Sequence, residues 1–541
     1  MSRPPSRFLA PWLLPLVLVL AGAVLAAWWW PNRPQAGESA MPAGKLNSVS
    51  FAPFRDGASP LTGTFSSAAE VEQDLTLLAP HVRAIRSYAA LGGDYDLAAM
   101  AARHGLKLWL GVWLGGDRAQ NMREMDAAIA IAADHPDTVE RVVVGNEVLL
   151  RRDLPVGELI ADIDRVKAAV RQPVTYADVW EFWRKFPEVA AHVDIVTIHL
   201  LPYWEDDPTG IDRAVAHVAA TYRRMAALFP GKPIAIGETG WPSRGRWRHD
   251  AAPGRVNQAV FLRRFVDLAA REGLDYNLIE AFDQDWKYRN EGIVGANWGI
   301  WTADRAQKFP LAGPVREDPG WALHGAASVV LGLLLLGGAL AVRRGEPARI
   351  QAWLAVLAMA LGAALVFAWA GTVPDVHDPF LTLCAVVNLA AQAALAWLLL
   401  DRVGRLPAPP RTGADATRML RALLLVRFRA LAGWRGVAFP DLCFVFVWAA
   451  AVLQLLLLID PRYRDFPLPV FAVPLLATAA RVLTGDLPRG GGREELLAGG
   501  VLALGAIAGA VIEGAANLQS LAWTAAALLL AAPYLLSLRR A

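Results

Sequence analysis

The sequence predicts an α/β protein in two parts, a (β/α)8 (TIM) barrel and an all-α polytopic membrane domain. Three observations predict it. Residues 45–320 read as a globular mixture in which short apolar runs alternate with helical patterns. Residues 322–400 and 440–538 contain long uncharged runs. The whole chain of 541 residues is 55% hydrophobic and only 19% charged, an unusual balance for a soluble protein.

The N-terminal segment 1–31 is the first element. Residues 10–30 are uncharged and follow Arg3 and Arg7, and about 20 such residues cross a bilayer as a helix. Trp28-Trp29-Trp30 resembles an interfacial aromatic anchor. A cleaved signal peptide is the rival reading, with Val24-Leu25-Ala26 as a passable cleavage site. Residues 32–44, rich in Pro, Gly and Ala, read as a linker.

The barrel, 45–320, comes next. Strand candidates are 48–54, 84–88, 107–113, 141–144, 174–177, 195–199, 234–237 and 278–282, with amphipathic stretches such as 122–134 and 257–272 between them. A doubly wound sheet is the alternative, but no Gly-rich phosphate loop follows the first strand. In such a barrel the chemistry sits at the C-terminal ends of the strands. The polar residues there are Arg86, Tyr88, Asn146, Glu147, Asp178, His199, Tyr203, Glu238 and those from Glu280 to Trp286.

The membrane domain, 321–541, reads as seven spans near 322–342, 352–371, 380–400, 440–459, 467–483, 496–512 and 521–538. The fifth is the weakest, because it holds Pro469 and Pro474. With the N-terminus inside, the inner loops carry Arg343, Arg344, Arg349, Arg402, Arg405, Arg411, Arg418, Arg421, Arg427, Arg429, Arg435, Arg481, Arg489 and Arg493, and the C-terminal end Arg539 and Arg540. The outer loops carry only Arg462 and Arg464. That asymmetry puts both termini in the cytoplasm and the barrel outside. Net charge is +3, but the arginines cluster between apolar runs and no nucleic-acid motif is present. Cys384 and Cys443 read as small apolar residues, and 45–320 has no cysteine.

Two segments carry the chemistry. One runs Val142-Val143-Val144-Gly145-Asn146-Glu147, the other Ile234-Ala235-Ile236-Gly237-Glu238-Thr239-Gly240-Trp241-Pro242-Ser243. Each is an apolar strand ending in a small residue and then a Glu, on the fourth and seventh strands. A lone Glu there is more often a cap or a salt-bridge partner. Two of them, facing each other across a barrel mouth, suit glycoside cleavage, which needs a carboxyl on each side of one bond.

These two segments resemble the signatures of glycoside hydrolase family 17, the β-1,3-glucanases and glucanosyltransferases, over about 45–310. The resemblance implies Glu147 as acid/base, Glu238 as nucleophile, and retention of configuration. It is nearest to bacterial, membrane-embedded members associated with β-glucan synthesis or remodelling, often called β-(1,3) or β-(1,6) glucan synthases. That implies a bacterial inner-membrane protein with a periplasmic catalytic domain. The segment from Glu280 to Lys287 also resembles family sequence at the catalytic mouth.

The expected substrate contacts are Asn146, Tyr88, Asp178, His199, Tyr203, Trp241, Glu280, Asp283, Trp286 and Lys287. Asn146 would hold a sugar hydroxyl and steady Glu147; Glu280 would bind substrate or orient Glu238. Trp241 and Trp286 are the expected stacking platforms, although tryptophan also fills cores. No metal-ligand spacing is present, and no metal or cofactor is expected. The expected function is cleavage of β-1,3-glucan through a covalent glycosyl-enzyme with transfer to a sugar acceptor. Hydrolysis by the same residues is the alternative, and a non-catalytic scaffold or a transporter a weaker one. Expected partners are a β-glucan, the lipid bilayer and a glucan synthase complex. Asn388 and Gln392, on one helix face, and Gln454 read as helix–helix contacts.

Overall fold

The structure is a computed structural model that describes residues 10–36, 44–55, 57–405, 413–425, 438–487 and 492–537. Arg3, Arg7, Arg411, Arg427, Arg429, Arg435, Arg489, Arg539, Arg540 and part of the expected linker lie outside them. The chain divides into two compact units, 34–316 and 1–33 with 317–541.

The first unit is a closed eight-stranded parallel barrel with its strands in sequence order. The strands are β1 (Leu46–Ser50), β2 (Val82–Arg86), β3 (Lys107–Val112), β4 (Val139–Asn146), β5 (Val174–Val179), β6 (Ile195–His199), β7 (Ile234–Thr239) and β8 (Asp275–Leu278). β3, β4 and β7 carry apolar runs because a parallel barrel is covered on both faces. Val142, Val144, Val196, Ile198 and Ile236 are fully buried. Local signals set the helix ends. Ser67 and Glu70 form a capping box at the start of Ala68–Leu78, and Gly273, at φ 65°, ends Arg255–Glu272.

The last strand departs from expectation. It ends at Leu278, so Glu280 lies in the loop beyond it rather than inside a 278–282 strand. That loop is held by a second backbone partner: Ile300 N donates to the Glu280 carbonyl at 2.9 Å and Asp283 N to the Trp301 carbonyl at 3.0 Å.

The second unit is helical. Six of its described helices are long and apolar enough to cross a membrane: Trp321–Val342, Ala348–Asp375, Pro379–Arg402, Phe439–Ile459, Arg493–Glu513 and Leu518–Leu536. They have the length and composition of a multi-pass membrane protein. Two expected spans are shorter, Leu13–Trp29 and Pro469–Thr484. In the latter a 3-10 turn, Pro469–Phe471, precedes a 13-residue helix, because proline supplies no N–H to continue the ladder. The Asn388 amide donates to the Val470 carbonyl at 3.2 Å, and Val473 N donates to Gln392 Oε1 at 3.0 Å. Asn388 and Gln392 thus serve the backbone of a broken helix. Leu13–Trp29 is a packed member of the same unit: Trp28 Nε1 donates to Ser328 Oγ at 2.9 Å, and a Cβ on Gly325 would lie 3.1 Å from Leu25.

Candidate active site

Glu147 follows the last residue of β4. Gly145, at φ 86°, and Glu147 itself, at φ 53°, turn the chain out of the strand. The left-handed backbone of a non-glycine residue costs roughly 1 kcal/mol or more and persists where its surroundings enforce it. Here Glu147 N donates to the Ala177 carbonyl at 2.8 Å, and Arg151 N donates to the Glu147 carbonyl at 2.8 Å. Glu238 lies three strands away on β7 and is 5% exposed. Gly237 before it lets β6 come close, since a Cβ there would meet Thr197 at 2.6 Å and His199 at 3.0 Å.

His199 joins the two carboxylates. Its Nδ1 lies 2.9 Å from Glu147 Oε1 and 3.7 Å from Glu238 Oε2, and the three ligand-type atoms of this group lie within 4.8 Å of one another. Its Nε2 is buried with no hydrogen-bond partner among the described residues. Burial pushes the Glu147 carboxyl up, but the hydrogen bond and charge of His199, with Arg151 and Arg86 behind it, hold it below the ordinary value.

Arg86, at the end of β2, organises the other side. It donates to Glu238 Oε1 at 3.1 Å, to the Gly237 carbonyl at 2.7 Å and to Asn146 Oδ1. Tyr88 Oη lies 3.0 Å from Glu238 Oε1 and 3.1 Å from Ser50 Oγ. Burial, and then the Glu238 charge, raise the Tyr88 hydroxyl well above its usual range, so it stays a donor. Asn277 donates to Ser50 Oγ at 2.8 Å and to the Gly237 carbonyl at 2.9 Å. Glu238 Oε1 is therefore held by two donors, while Oε2 faces His199.

Against known proteins, residues 48–299 match the profile of the BtgE/BtgC glycoside hydrolase domain. A glucan 1,3-beta-glucosidase of Arthroderma benhamiae is 28% identical over 266 residues, 46% of this chain and 85% of that protein. The barrel thus resembles glycoside hydrolase family 17. The chain is thus an enzyme of the glycosidase and transglycosylase class. A glucan 1,3-beta-glucosidase of Schizosaccharomyces pombe is 27% identical over 293 residues, 51% of this chain and 90% of that protein. The family 17 β-1,3-glucanosyltransferase structure from Rhizomucor miehei is 26% identical, covering 49% of this chain and 95% of its own, at a TM-score of 0.43.

Within the barrel, the expected site residues divide. Asn146, Tyr88 and His199 gather at the two carboxylates, as do Glu280 and Lys287 a little behind. Glu280 is fully buried, pushed up to about 7 by burial, and paired with Lys287 Nζ at 2.7 Å; its Oε1 has no partner among the described residues. Trp286 is half-buried, its indole N–H fixed on Gln284 Oε1 at 2.8 Å. Asp178 lies one layer down. It accepts from Val179 N at 2.8 Å and from the Tyr176 hydroxyl, and burial pushes it up to about 6.

Three expectations are corrected. Trp241 is fully buried against Phe261, and its N–H donates to the Ala252 carbonyl at 2.9 Å, so it packs the barrel wall and offers no face to a sugar. Asp283 is buried against Lys308 Nζ at 2.6 Å and accepts from Gly299 N at 3.0 Å, which makes it a structural ion pair. The Tyr203 hydroxyl donates to the Arg246 carbonyl at 2.6 Å and ties down the loop after β7. Arg86 was visible as a polar strand end but was not among the expected substrate contacts. Ser50 and Asn277 were missed. For Arg86 the signal was available: a buried arginine needs a carboxylate partner. The group Glu147, His199 and Glu238 has a spacing a divalent cation could use. Arg86 already neutralises Glu238, and Nδ1 is committed to Glu147, so the donors suit proton transfer better.

Proposed function

We propose that the barrel cleaves β-1,3-glucan with retention and passes the released glycosyl unit to a sugar hydroxyl. One observation carries the retaining reading: Glu147 and Glu238 bring carboxylate oxygens within 4.8 Å of each other from opposite sides of the mouth. Retaining pairs stand about 5–5.5 Å apart, whereas inverting pairs need about 6.5–9.5 Å to admit a water. In the first step Glu238 Oε2 attacks the anomeric carbon while Glu147 protonates the leaving glycosidic oxygen. The bond to the aglycone breaks and an ester to Glu238 forms. In the second step Glu147 takes the proton of an acceptor hydroxyl, whose oxygen displaces Glu238. Arg86 and Tyr88 hold Glu238 and steady its charge as it is regenerated.

The relatives' names support the substrate, since two are glucan 1,3-beta-glucosidases and one a β-1,3-glucanosyltransferase. The apolar helices and the arginine asymmetry support an enzyme held in a bacterial inner membrane with its barrel on the outer side, where it remodels the cell's own glucan. Hydrolysis uses the same residues with water as acceptor. Incubation with laminari-oligosaccharides separates the two readings: products longer than the substrate establish transfer, and only shorter ones refute it. Proton NMR of the first product formed reads the anomeric configuration, and inversion would sink the mechanism. Glu238→Gln should lose roughly 10⁴-fold or more in kcat, the scale seen when a nucleophile is removed.

A further inference from the structure

Strand order dictates how a long substrate must lie. In a closed barrel numbered in sequence order, β4 and β7 stand three strands apart and face each other across the mouth. A chain whose bond sits between Glu147 and Glu238 runs crosswise to the line joining them. It leaves over β1 and β2 at one end and over β5 and β6 at the other. At the β1 end stands a group of rings that the chemistry above does not use. Phe54 lies 5.9 Å from Phe65 and 5.9 Å from Trp286, centroid to centroid. Phe65 is 41% exposed, and Leu61 and Leu91 beside these rings are exposed as well.

The loop that carries the rings is built to hold them. Ser59 and Thr64 form a bridge that closes its tip. Arg55 fastens it to Asp74 at 2.6 Å and to the Glu70 carbonyl at 3.1 Å, and Ser66 Oγ donates to the Pro53 carbonyl. Phe65 also rests on the loop after β2, where a Cβ on Gly92 would come within 3.2 Å of its ring. Phe65 is the exposed ring, Phe54 and Trp286 are half-buried behind it, and a contiguous apolar patch of this kind beside a cleft marks a place where a ligand binds. Sugar rings supply one, since their C–H faces lie against aromatic planes while their hydroxyls reach polar edges. Trp286 links this group to the reaction centre, because the adjacent Lys287 pairs with Glu280.

We propose that Phe54, Phe65 and Trp286 form an extended subsite that grips glucan residues distal to the cleaved bond and sets the chain length the enzyme prefers. The proposal rests on the glucan-active reading above. Its test uses the full-length protein in detergent, with kcat/KM measured over laminari-oligosaccharides of increasing length. In the wild type kcat/KM rises with length. Phe65→Ala loses about tenfold on the longest substrates, the scale of one aromatic contact, and leaves the shortest unchanged; Phe65→Trp restores the rise. An unaltered length profile in Phe65→Ala, or an equal loss at every length, overturns the subsite while the glucan-active reading stands. A wild type that turns over no laminari-oligosaccharide of any length overturns both.

Discussion

In the barrel, Arg86, Glu147, His199, Glu238 and Glu280 come from the ends of five different strands and converge on one spot. In the helical unit, the polar side chains near mid-helix are spread out and neutral. Gln454 donates to the Gly505 carbonyl at 3.0 Å and accepts from the Trp523 indole at 2.7 Å; Gln392 donates to Asn388 Oδ1 at 2.8 Å. The helical amides are spent on backbone groups, on the Trp523 indole and on one another. Buried atoms without a partner among the described residues occur in both units, Trp448 Nε1 and Ser520 Oγ among the helices and His199 Nε2 and Glu280 Oε1 in the barrel, but only the barrel's two stand at the paired carboxylates. Burying a polar atom without a partner costs about 1–3 kcal/mol, which a substrate hydroxyl bound at the carboxylates would recover. The difference assigns chemistry to the barrel and packing to the amides of the helices.

The largest effect should come from a pair that only imitates the site. Asp283 and Lys308 resemble Glu280 and Lys287 in charge and burial, yet Lys308 also donates to Ser243 Oγ at 2.7 Å, and Asp283 also accepts from Gly299 N. Asp283→Ala leaves Lys308 buried without its counter-charge and should cost about 3–5 kcal/mol of barrel stability. Thermal unfolding checks this. A variant as stable as the wild type but with raised KM would return Asp283 to substrate binding and erase the distinction between the two pairs.

A smaller effect tests the convergence itself. His199 helps hold Glu147 below the ordinary carboxyl range. His199→Ala removes that hydrogen bond and charge, so the folded-state pKa of Glu147 rises. An acid with a raised pKa keeps its proton to higher pH. The alkaline limb of the kcat/KM profile should therefore move up in pH, while activity at the optimum falls roughly tenfold, about the worth of one charge-assisted hydrogen bond. Lower activity with an unmoved limb would make His199 a packing residue.

The two regions also differed in how far their sequence could be read. Glu147 and Glu238 were legible because an apolar strand ending in a small residue and then a carboxylate is a local pattern, and barrel topology says where such ends meet. Tyr88 and His199 followed by the same rule. The rule names positions along the chain, not side-chain directions. A Cβ on Gly240 would lie 2.4 Å from the Ile279 carbonyl, and beyond this close approach Trp241 turns into the wall beside Phe261. No local pattern announces such a turn. Asp283 was misread for the same reason, since its partner Lys308 is 25 residues away. Phe54 and Phe65 lie in a loop, where neither periodicity nor strand ends give a signal. In the helical unit, hydropathy marked 467–483 as a span because it counts apolar residues and ignores the N–H groups that Pro469 and Pro474 lack.

That broken helix supplies the smallest test of the comparison. Gln392 bonds the freed backbone at Val473, and Asn388 the carbonyl of Val470. Gln392→Leu keeps the volume close and the surface apolar but removes the donor and acceptor. Interhelical hydrogen bonds in membranes average about 0.6 kcal/mol, so the helical unit should lose roughly that much and the barrel's kcat/KM should not change. A double-mutant cycle with Asn388→Ala should show coupling, because the two side chains bond each other as well as the same break. If Gln392→Leu instead abolished glucan modification in cells while the purified protein kept its fold and its turnover of laminari-oligosaccharides, the amides would be part of a path through the helices. A polar group in a spanning helix would then be functional even when its hydrogen bonds are complete, and satisfaction of those bonds could no longer separate the working region of this molecule from the supporting one.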